Sequence, residues 1–399
     1  MKKLLIVSHC MELGGAERAL LGILGKLNYN EYAVDLFLLR HTGELMKYIP
    51  DEVNLLPENK YYASLAVDFK TVVKNKAFLV GLGRLSGKRA AEKFSKECGI
   101  ECDANILVDY SHRYTKRFMP MISKTKYDAA ISFLTPHYFV AEKVCADRKI
   151  AWIHTDYSSV NIDIDGELKM WSAFDNIISV SEKSASVFVN IYPSLKDKVS
   201  VIENISPIDF IKRSADDFSA KREMPNDGFI KFLSVGRYSA QKNFDNIPDI
   251  CAELPNVKWY IIGYGPDEAL IRKKIAEKKM QNRVILLGKK ENPYPYFREC
   301  DFYIQPSRYE GKAVTVNEAL ILGKLVAITD YPTASSQITN GFDGVIVPLE
   351  NKQCAKALSE FINNKKLHQY IYENLAKTDY SKSDEIIKIQ KVVDYGQTS

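Results

Sequence analysis

One rhythm constrains this chain more than any other feature. A short apolar run, a turn and a polar or amphipathic stretch of helical character recur through both halves. In the first half the runs fall at residues 4–8, 34–39, 129–133, 150–154, 176–180 and 199–202; in the second they fall at 231–235, 258–262, 284–287, 302–305, 325–328 and 344–347. They are β-rich but alternate only weakly, as parallel strands covered on both faces do. Strands alternating with helices make βαβ units, so the class is α/β, with two Rossmann-like sheets. The rhythm pauses over residues 203–226, where Pro207 and Pro225 flank a polar stretch. That break divides the 399 residues into domains at 1–205 and 206–380, each long enough for its own core. Residues 381–399 are expected to form a terminal helix that packs back on the first domain. Two such domains imply a cleft at the carboxyl ends of their strands, where open α/β sheets bind ligands.

Composition narrows the class. Hydrophobic residues at 46% and charged residues at 26% exclude collagen-like, mucin-like and mostly disordered chains. A net charge of +5 is too small to argue for nucleic acid. The seven cysteines are scattered, with no Cys-x-x-Cys pair and no zinc spacing, which fits a reducing compartment. The amino-terminal apolar run is shorter than the ~7–15 residues of a signal-peptide core. No window approaches the ~18 apolar residues of a membrane span. These readings predict a soluble, cytoplasmic protein. Residues 70–126 break the rhythm, with thirteen Lys or Arg against five acids. Val72, Val73, Phe78, Leu79, Val80, Leu82 and Leu85 are interleaved with those charges. Such a stretch suits either a solvated helix face or an anionic membrane surface.

Two turns have the form of phosphate sites. After the first strand come Gly14 and Gly15, then a helix expected over 16–27. A glycine-rich turn at a helix N-terminus offers backbone N–H groups and a positive dipole end to an anion. The second domain opens with Val235-Gly236-Arg237, and Lys242 follows five residues after the arginine. A guanidinium and an ammonium on one strand-to-helix loop suit a diphosphate. A third turn, Gly263-Tyr264-Gly265-Pro266, is read as structural, with Pro266 at the first helical position. Asp163 and Asp165 form a D-x-D sequence that is read as loop, and no cluster has metal-site spacing.

Glu310 and Glu318 lie eight residues apart, on a loop and on the helix that follows. A helical rise puts them up to ~12 Å apart, beyond the ~5 Å of a retaining glycosidase pair. That span matches a sugar nucleotide from its hexose to its ribose. The alternative for Glu318 is a solvent-facing helix glutamate.

Together these residues resemble the retaining family-4 glycosyltransferases. Glu310-Gly311 and Glu318-Ala319-Leu320 are similar to their E-x7-E motif. Gly236-Arg237…Gln241-Lys242-Asn243 is similar to their diphosphate loop, Gly14-Gly15-Ala16-Glu17-Arg18 to their first loop, and Gly263-Tyr264-Gly265-Pro266 to their G-x-G-P turn. The matches run in family order over nearly the whole chain. Two positions depart: Asn243 stands where glycine is usual, and Lys312-Ala313-Val314 replaces an apolar or Gly-Pro stretch, which bears on the sugar.

The resemblance implies a GT-B fold, two Rossmann-like domains facing across a deep cleft, the first for acceptor and the second for nucleotide. It implies transfer of a sugar with retention from a nucleotide donor, most often UDP-linked, with no cofactor and no metal. Arg237, Lys242 and the amides after Gly14 and Gly15 would hold the diphosphate. Glu310 would hold sugar hydroxyls, Glu318 the ribose, and His154 would orient the sugar. Gly311, Lys312 and Ala313 would line the donor. The acceptor would be a glycan or a polyprenyl-diphosphate-linked glycan of bacterial surface polysaccharide, reached at the inner membrane face; no nucleic acid is expected. A GT-B epimerase, a phosphorylase and a non-catalytic sugar-nucleotide binder remain as alternatives.

Overall fold

The computed structural model describes residues 1–12, 14–155, 157, 160–310 and 313–396. The chain forms two compact units, residues 1–205 with 382–399, and residues 206–381. Among the described residues, unit 1 contains β1 (Lys2–Ser8), β2 (Tyr32–Leu38), β3 (Asn54–Leu55), β4 (Lys126–Ser132), β5 (Cys145–Ile153), β6 (Asn176–Ser179) and β7 (Val199–Val201). Unit 2 contains β8 (Ile230–Val235), β9 (Val257–Ile262), β10 (Val284–Gly288), β11 (Phe302–Gln305), β12 (Leu325–Thr329) and β13 (Val345–Val347). Each set pairs in parallel, in the orders β3-β2-β1-β4-β5-β6-β7 and β10-β9-β8-β11-β12-β13. Both are doubly wound: the order runs outward one way from the first strand, then the other way. The reversal lies between β1 and β4 in one unit and between β8 and β11 in the other. Crevices outside the carboxyl ends of strands at such a reversal are where these sheets take ligands.

The weak alternation of the apolar runs follows from cover on both faces. Five consecutive residues of β1 are buried, as are five of β8. Trp259 is fully buried and its indole N–H still finds a partner, donating to Ser234 Oγ at 2.8 Å; that hydroxyl donates to Ile304 O at 2.7 Å. Burying a side chain of this size stabilises by about 2–3 kcal/mol when its polar group is satisfied. β3 has no apolar run to announce it. It is fixed by a neighbour's groups instead, with Asn54 Nδ2 donating to Asp35 Oδ1 at 2.7 Å and Leu56 N donating to Leu36 O at 2.9 Å.

The terminal helix Glu385–Tyr395 belongs to unit 1. Arg148 Nη1 donates to Val393 O at 2.6 Å, Tyr32 OH to Asp394 Oδ1 at 2.9 Å, and Asn176 Nδ2 to Gly396 O at 3.0 Å. Between β3 and β4 the chain makes a long helical excursion that includes Phe69–Lys74, Phe78–Cys98 and Ala104–Thr115. Val72 and Val80 of this segment belong to the core, whereas Val73, Phe78, Leu79, Leu82 and Leu85 are exposed. Among the described residues no helix is long and apolar enough to cross a membrane.

Candidate active site

In unit 2 the site grows from two loops at the reversal of strand order. The loop after β8 is held down by Tyr238, which is buried and whose N–H donates to Tyr264 O at 2.9 Å. Gly263 and Gly265 allow that approach: at φ 151° and 158°, a Cβ on either would fall 1.8 Å from Gly236 O or 2.3 Å from Tyr238 O. The G-x-G turn is therefore structural, as its sequence suggests. Pro266 is not the first helical residue, however. The helix is Glu268–Glu277, because Asp267 takes the cap position. Asn243 adopts φ 60° and ψ 22°, the left-handed region. Asparagine tolerates this region better than most residues, so its departure from glycine keeps the loop intact.

The loop after β11 delivers Glu310 to that scaffold. Lys242 Nζ lies 2.6 Å from Glu310 Oε1. Ser307 Oγ donates to the same oxygen at 2.5 Å, and Gln241 Nε2 donates to Oε2 at 3.1 Å. Gln305 and Ser307 are fully buried, with Gln305 Nε2 donating to Ser307 Oγ at 2.8 Å. Thr333 Oγ1 donates to Glu310 O at 2.8 Å, so the loop after β12 fixes the backbone as well. The two loops are tied by Arg308, whose N–H donates to Gln241 O at 2.8 Å and whose guanidinium pairs with Asp245 at 3.0 Å. A carboxylate oriented by this many donors is preorganised to take hydroxyl protons from a polyol. Arg237 is exposed on the same loop as Lys242.

Glu318 lies on the helix Val314–Ile321 and is 1% exposed, which removes the reading of a solvent-facing glutamate. Tyr294 OH donates to its Oε1 at 2.8 Å. Ala313 is held by its backbone. Its N–H donates to Gln337 Oε1 at 3.2 Å and its carbonyl accepts from Gln337 Nε2 at 2.5 Å. With both backbone groups taken, Ala313 has no amide to spare for a ligand. Gly311 and Lys312 lie outside the described residues.

In unit 1, Gly14 caps the helix Gly15–Leu24, which starts one residue earlier and ends three earlier than expected. No side chain caps it, but the Glu17 carboxylate lies over Gly14, 1.9 Å from where a Cβ would be. A carboxylate folded over a helix N-terminus marks the positive end of the dipole. His154 follows β5, with its ring 4.5 Å from that of Phe133. Its Nε2 is shut off from solvent and has no hydrogen-bond partner among the described residues. Burial lowers its pKa to about 4. His137 is fully buried, shares a hydrogen with Ser132 Oγ at 2.7 Å, and is likewise held neutral by burial. His9 and His112 are lowered to about 4 and about 3 by the same cause.

Asp163 is a structural residue. One of its carboxylate oxygens accepts from Gly166 N at 3.0 Å; the other accepts from Arg113 at 2.6 Å and from Tyr110 OH at 3.0 Å. Among the described residues no group of three His, Cys, Asp or Glu could hold a metal ion.

Residues 216–378 match the family of glycosyl transferases group 1, a stretch that contains Arg237, Lys242, Glu310 and Glu318. This stretch is a group 1 domain. The chain is 29% identical over 157 residues to the N-acetylgalactosamine-N,N'-diacetylbacillosaminyl-diphospho-undecaprenol 4-alpha-N-acetylgalactosaminyltransferase of Campylobacter jejuni, covering 39% of this chain and 43% of that one. It is 29% identical over 153 residues to the poly(glycerol-phosphate) alpha-glucosyltransferase of Bacillus subtilis, covering 37% and 23%. The chain thus spans less than half the length of these relatives. Anabaena HepE, crystallised with UDP and glucose, shares the fold over 99% of this chain and 100% of its own, with a TM-score of 0.65 at 16% identity. The fold is that of the GT-B glycosyltransferases, two parallel-sheet α/β domains.

Around the group 1 domain's glutamates, sequence reasoning missed Gln305, Ser307 and Tyr294. Gln305 and Ser307 were legible in principle: polar residues at the end of an apolar strand are buried only if they hold something. Tyr294 comes from a separate strand-to-helix connection, so spacing carried no trace of it.

Proposed function

We propose that the protein is a retaining glycosyltransferase acting in bacterial surface polysaccharide synthesis. It moves a sugar from a UDP-linked donor to a hydroxyl of a glycan or polyprenyl-diphosphate-linked acceptor. The observation that carries this reading is the Lys242–Glu310 pair at the strand reversal of the group 1 domain. There a cation suited to a diphosphate and a carboxylate suited to sugar hydroxyls share one set of donors. In the reaction the bond from the anomeric carbon to the β-phosphate oxygen breaks and a bond to the acceptor oxygen forms. The acceptor proton leaves with the departing nucleoside diphosphate. Charge grows on that leaving group, and Arg237 and Lys242 stabilise it without a metal. Glu310 orients the sugar and Glu318 the ribose, and His154 helps to orient the sugar. The Campylobacter jejuni relative, named for a diphospho-undecaprenol-linked acceptor, supports the acceptor class. The enzyme is cytoplasmic and works peripherally at the inner membrane face.

A thermal-shift panel of UDP- and GDP-sugars, followed by UDP release with and without acceptor, tests the reading. A true donor raises apparent stability by mass action, and UDP appears only when acceptor is added. Release without acceptor favours an epimerase or phosphorylase, while tight binding with no turnover favours a binding protein. Loss of activity in EDTA that magnesium restores would overturn metal independence.

A further inference from the structure

The helix Phe78–Cys98 is built inside out. Its buried face is Val80, Gly81, Gly83, Gly87, Ala91 and Ser95. Small residues there let it lie almost backbone to backbone on the helix Ala104–Thr115: a Cβ at Gly87 would fall 2.6 Å from Tyr110 O, and one at Gly83 2.8 Å from Thr115 Cγ2. The large apolar side chains point the other way. Phe78, Leu79 and Leu82 are 58%, 55% and 57% exposed, with Leu85 at 44%. On the preceding helix, Phe69–Lys74, Phe69 and Val73 are exposed too, and Phe69 reaches back beneath the Arg84 guanidinium, 5.0 Å from its ring centre. Single exposed apolar residues are ordinary, but a contiguous group is not.

Charge says what covers it. No Asp or Glu occurs between Asp68 and Glu92, while Lys70, Lys74, Lys76, Arg84, Lys88 and Arg89 do. Along the helix, Phe78, Leu82 and Leu85 continue at three- and four-residue steps into Arg89, Lys93 and Lys96, so one stripe passes from apolar to basic. The more distal Lys88 and Lys93 are each partnered by a glutamate one turn on, at 3.8 and 3.7 Å. Nearer the apolar end, Lys74, Lys76 and Arg84 have no acid within five residues in sequence, while Asp68 lies two residues from Lys70 and bears electrostatically on Arg84. A protein interface is depleted of lysine relative to the rest of the surface, whereas Lys70, Lys74, Lys76 and Lys88 accompany these apolar residues. A bilayer interface wants apolar residues below and bases at the headgroups.

We propose that this face docks on an anionic lipid bilayer by inserting Phe78, Leu82 and Leu85, with Phe69 and Val73 beside them. The purpose of docking rests on the proposed lipid-linked acceptor; the physics of the face does not. Insertion, and not charge alone, provides most of the affinity. The lysines and arginines make it selective for anionic lipid and sensitive to salt.

The test is sedimentation of the full chain with phosphatidylcholine vesicles, with and without phosphatidylglycerol, across salt concentration. Wild type is expected to bind the anionic vesicles and to keep part of that binding in high salt. The exposed-site variant Phe78→Ser/Leu82→Ser/Leu85→Ser is expected to lose at least about tenfold in affinity even at low salt. Calorimetric binding of UDP, read in parallel, should be the same in both. Equal vesicle binding by the variant would overturn insertion and leave electrostatics alone. A wild-type dimer that binds no vesicle and becomes monomeric in the variant would assign the face to a second copy instead. Vesicle binding with no nucleotide binding would sink the glycosyltransferase reading and leave this one standing. As a second variant, Leu82→Trp should show a blue-shifted emission on anionic vesicles; an unshifted spectrum would count against insertion.

Discussion

At the carboxyl end of its sheet, unit 2 holds a lysine and a glutamate 2.6 Å apart, oriented by buried hydroxyl and amide donors. Unit 1 holds His9, His112, His137 and His154 in surroundings where burial keeps each one neutral. Both units use the same doubly wound topology and the same reversal of strand order. The difference lies in what each face is prepared to meet. Fixed charges held by hydrogen bonds suit a ligand on which charge develops, and neutral rings beside aromatic neighbours suit an uncharged one. One fold thus carries two kinds of polar interior, paired charges in unit 2 and neutral rings in unit 1.

The largest effect that bears on this contrast comes from Lys242. Lys242→Ala removes a stabiliser of the leaving diphosphate and should lower turnover by about 10²–10³, with weaker donor binding. His154→Ala removes one neutral hydrogen bond and should cost about tenfold. Steady-state kinetics on both variants compare the two units directly. If His154→Ala is the more damaging, charge stabilisation does not reside in unit 2.

The histidines give a pH signature. Unfolded they titrate near 6.5, and folded they titrate near 4 or below. Between those values the unfolded chain binds more protons, so stability present above pH 6.5 is lost as pH falls toward 4. Glu167 acts in the opposite sense. Burial raises its pKa from 4.5 to about 7, although Tyr157, Trp171 and Tyr192 all donate to its Oε2. Its contribution is full below pH 4.5 and is lost as pH rises through 7. Thermal melts across pH should therefore show a decline of several degrees on the acid side. The variant Glu167→Gln should flatten the neutral-side slope and leave the acid limb intact. An acid limb absent from wild type would contradict neutral, buried histidines. The activity profile should also lack an inflection near 6.5 from His154.

Ser307 offers a smaller, sharper probe. It does not touch substrate; it positions Glu310. Ser307→Ala removes one donor to a carboxylate, worth about 1.5–3 kcal/mol where the acceptor is charged. The expected signature is a lowered kcat with UDP affinity unchanged, and Ser307→Thr should recover part of it. A change confined to KM would mean that the hydroxyl acts on binding, not on the orientation of Glu310.

Much of this architecture is legible in the amino-acid sequence. Twelve of the strands announce themselves as apolar runs, most of them because both faces are buried, and the strand-to-helix turns mark the carboxyl edges of the two sheets. Lys242 and Glu310 are each visible on their own loop. Their meeting is not, because it depends on β11 pairing with β8, a neighbour relation between distant segments. β3 stays hidden because two residues, Asn54 and Leu55, carry no pattern. Which side chains of the Phe78–Cys98 helix turn inward is also hidden in sequence: glycines give the close packing, so Val80 turns inward while Phe78 and Leu82 turn outward. Pattern reasoning assumes that large apolar residues choose the core, and here small ones occupy it.

The central claim is that the group 1 domain divides its ligand, with Lys242 and Glu318 on the nucleotide and Glu310 on the sugar. Calorimetric titration of UDP into wild type and into Glu310→Gln tests it most directly, with kcat measured on the same preparations. The account predicts that Glu310→Gln keeps UDP affinity, since the freed Lys242 remains to meet the diphosphate, while kcat collapses. Loss of UDP binding in Glu310→Gln would contradict the division and return Glu310 to the nucleotide end of the site.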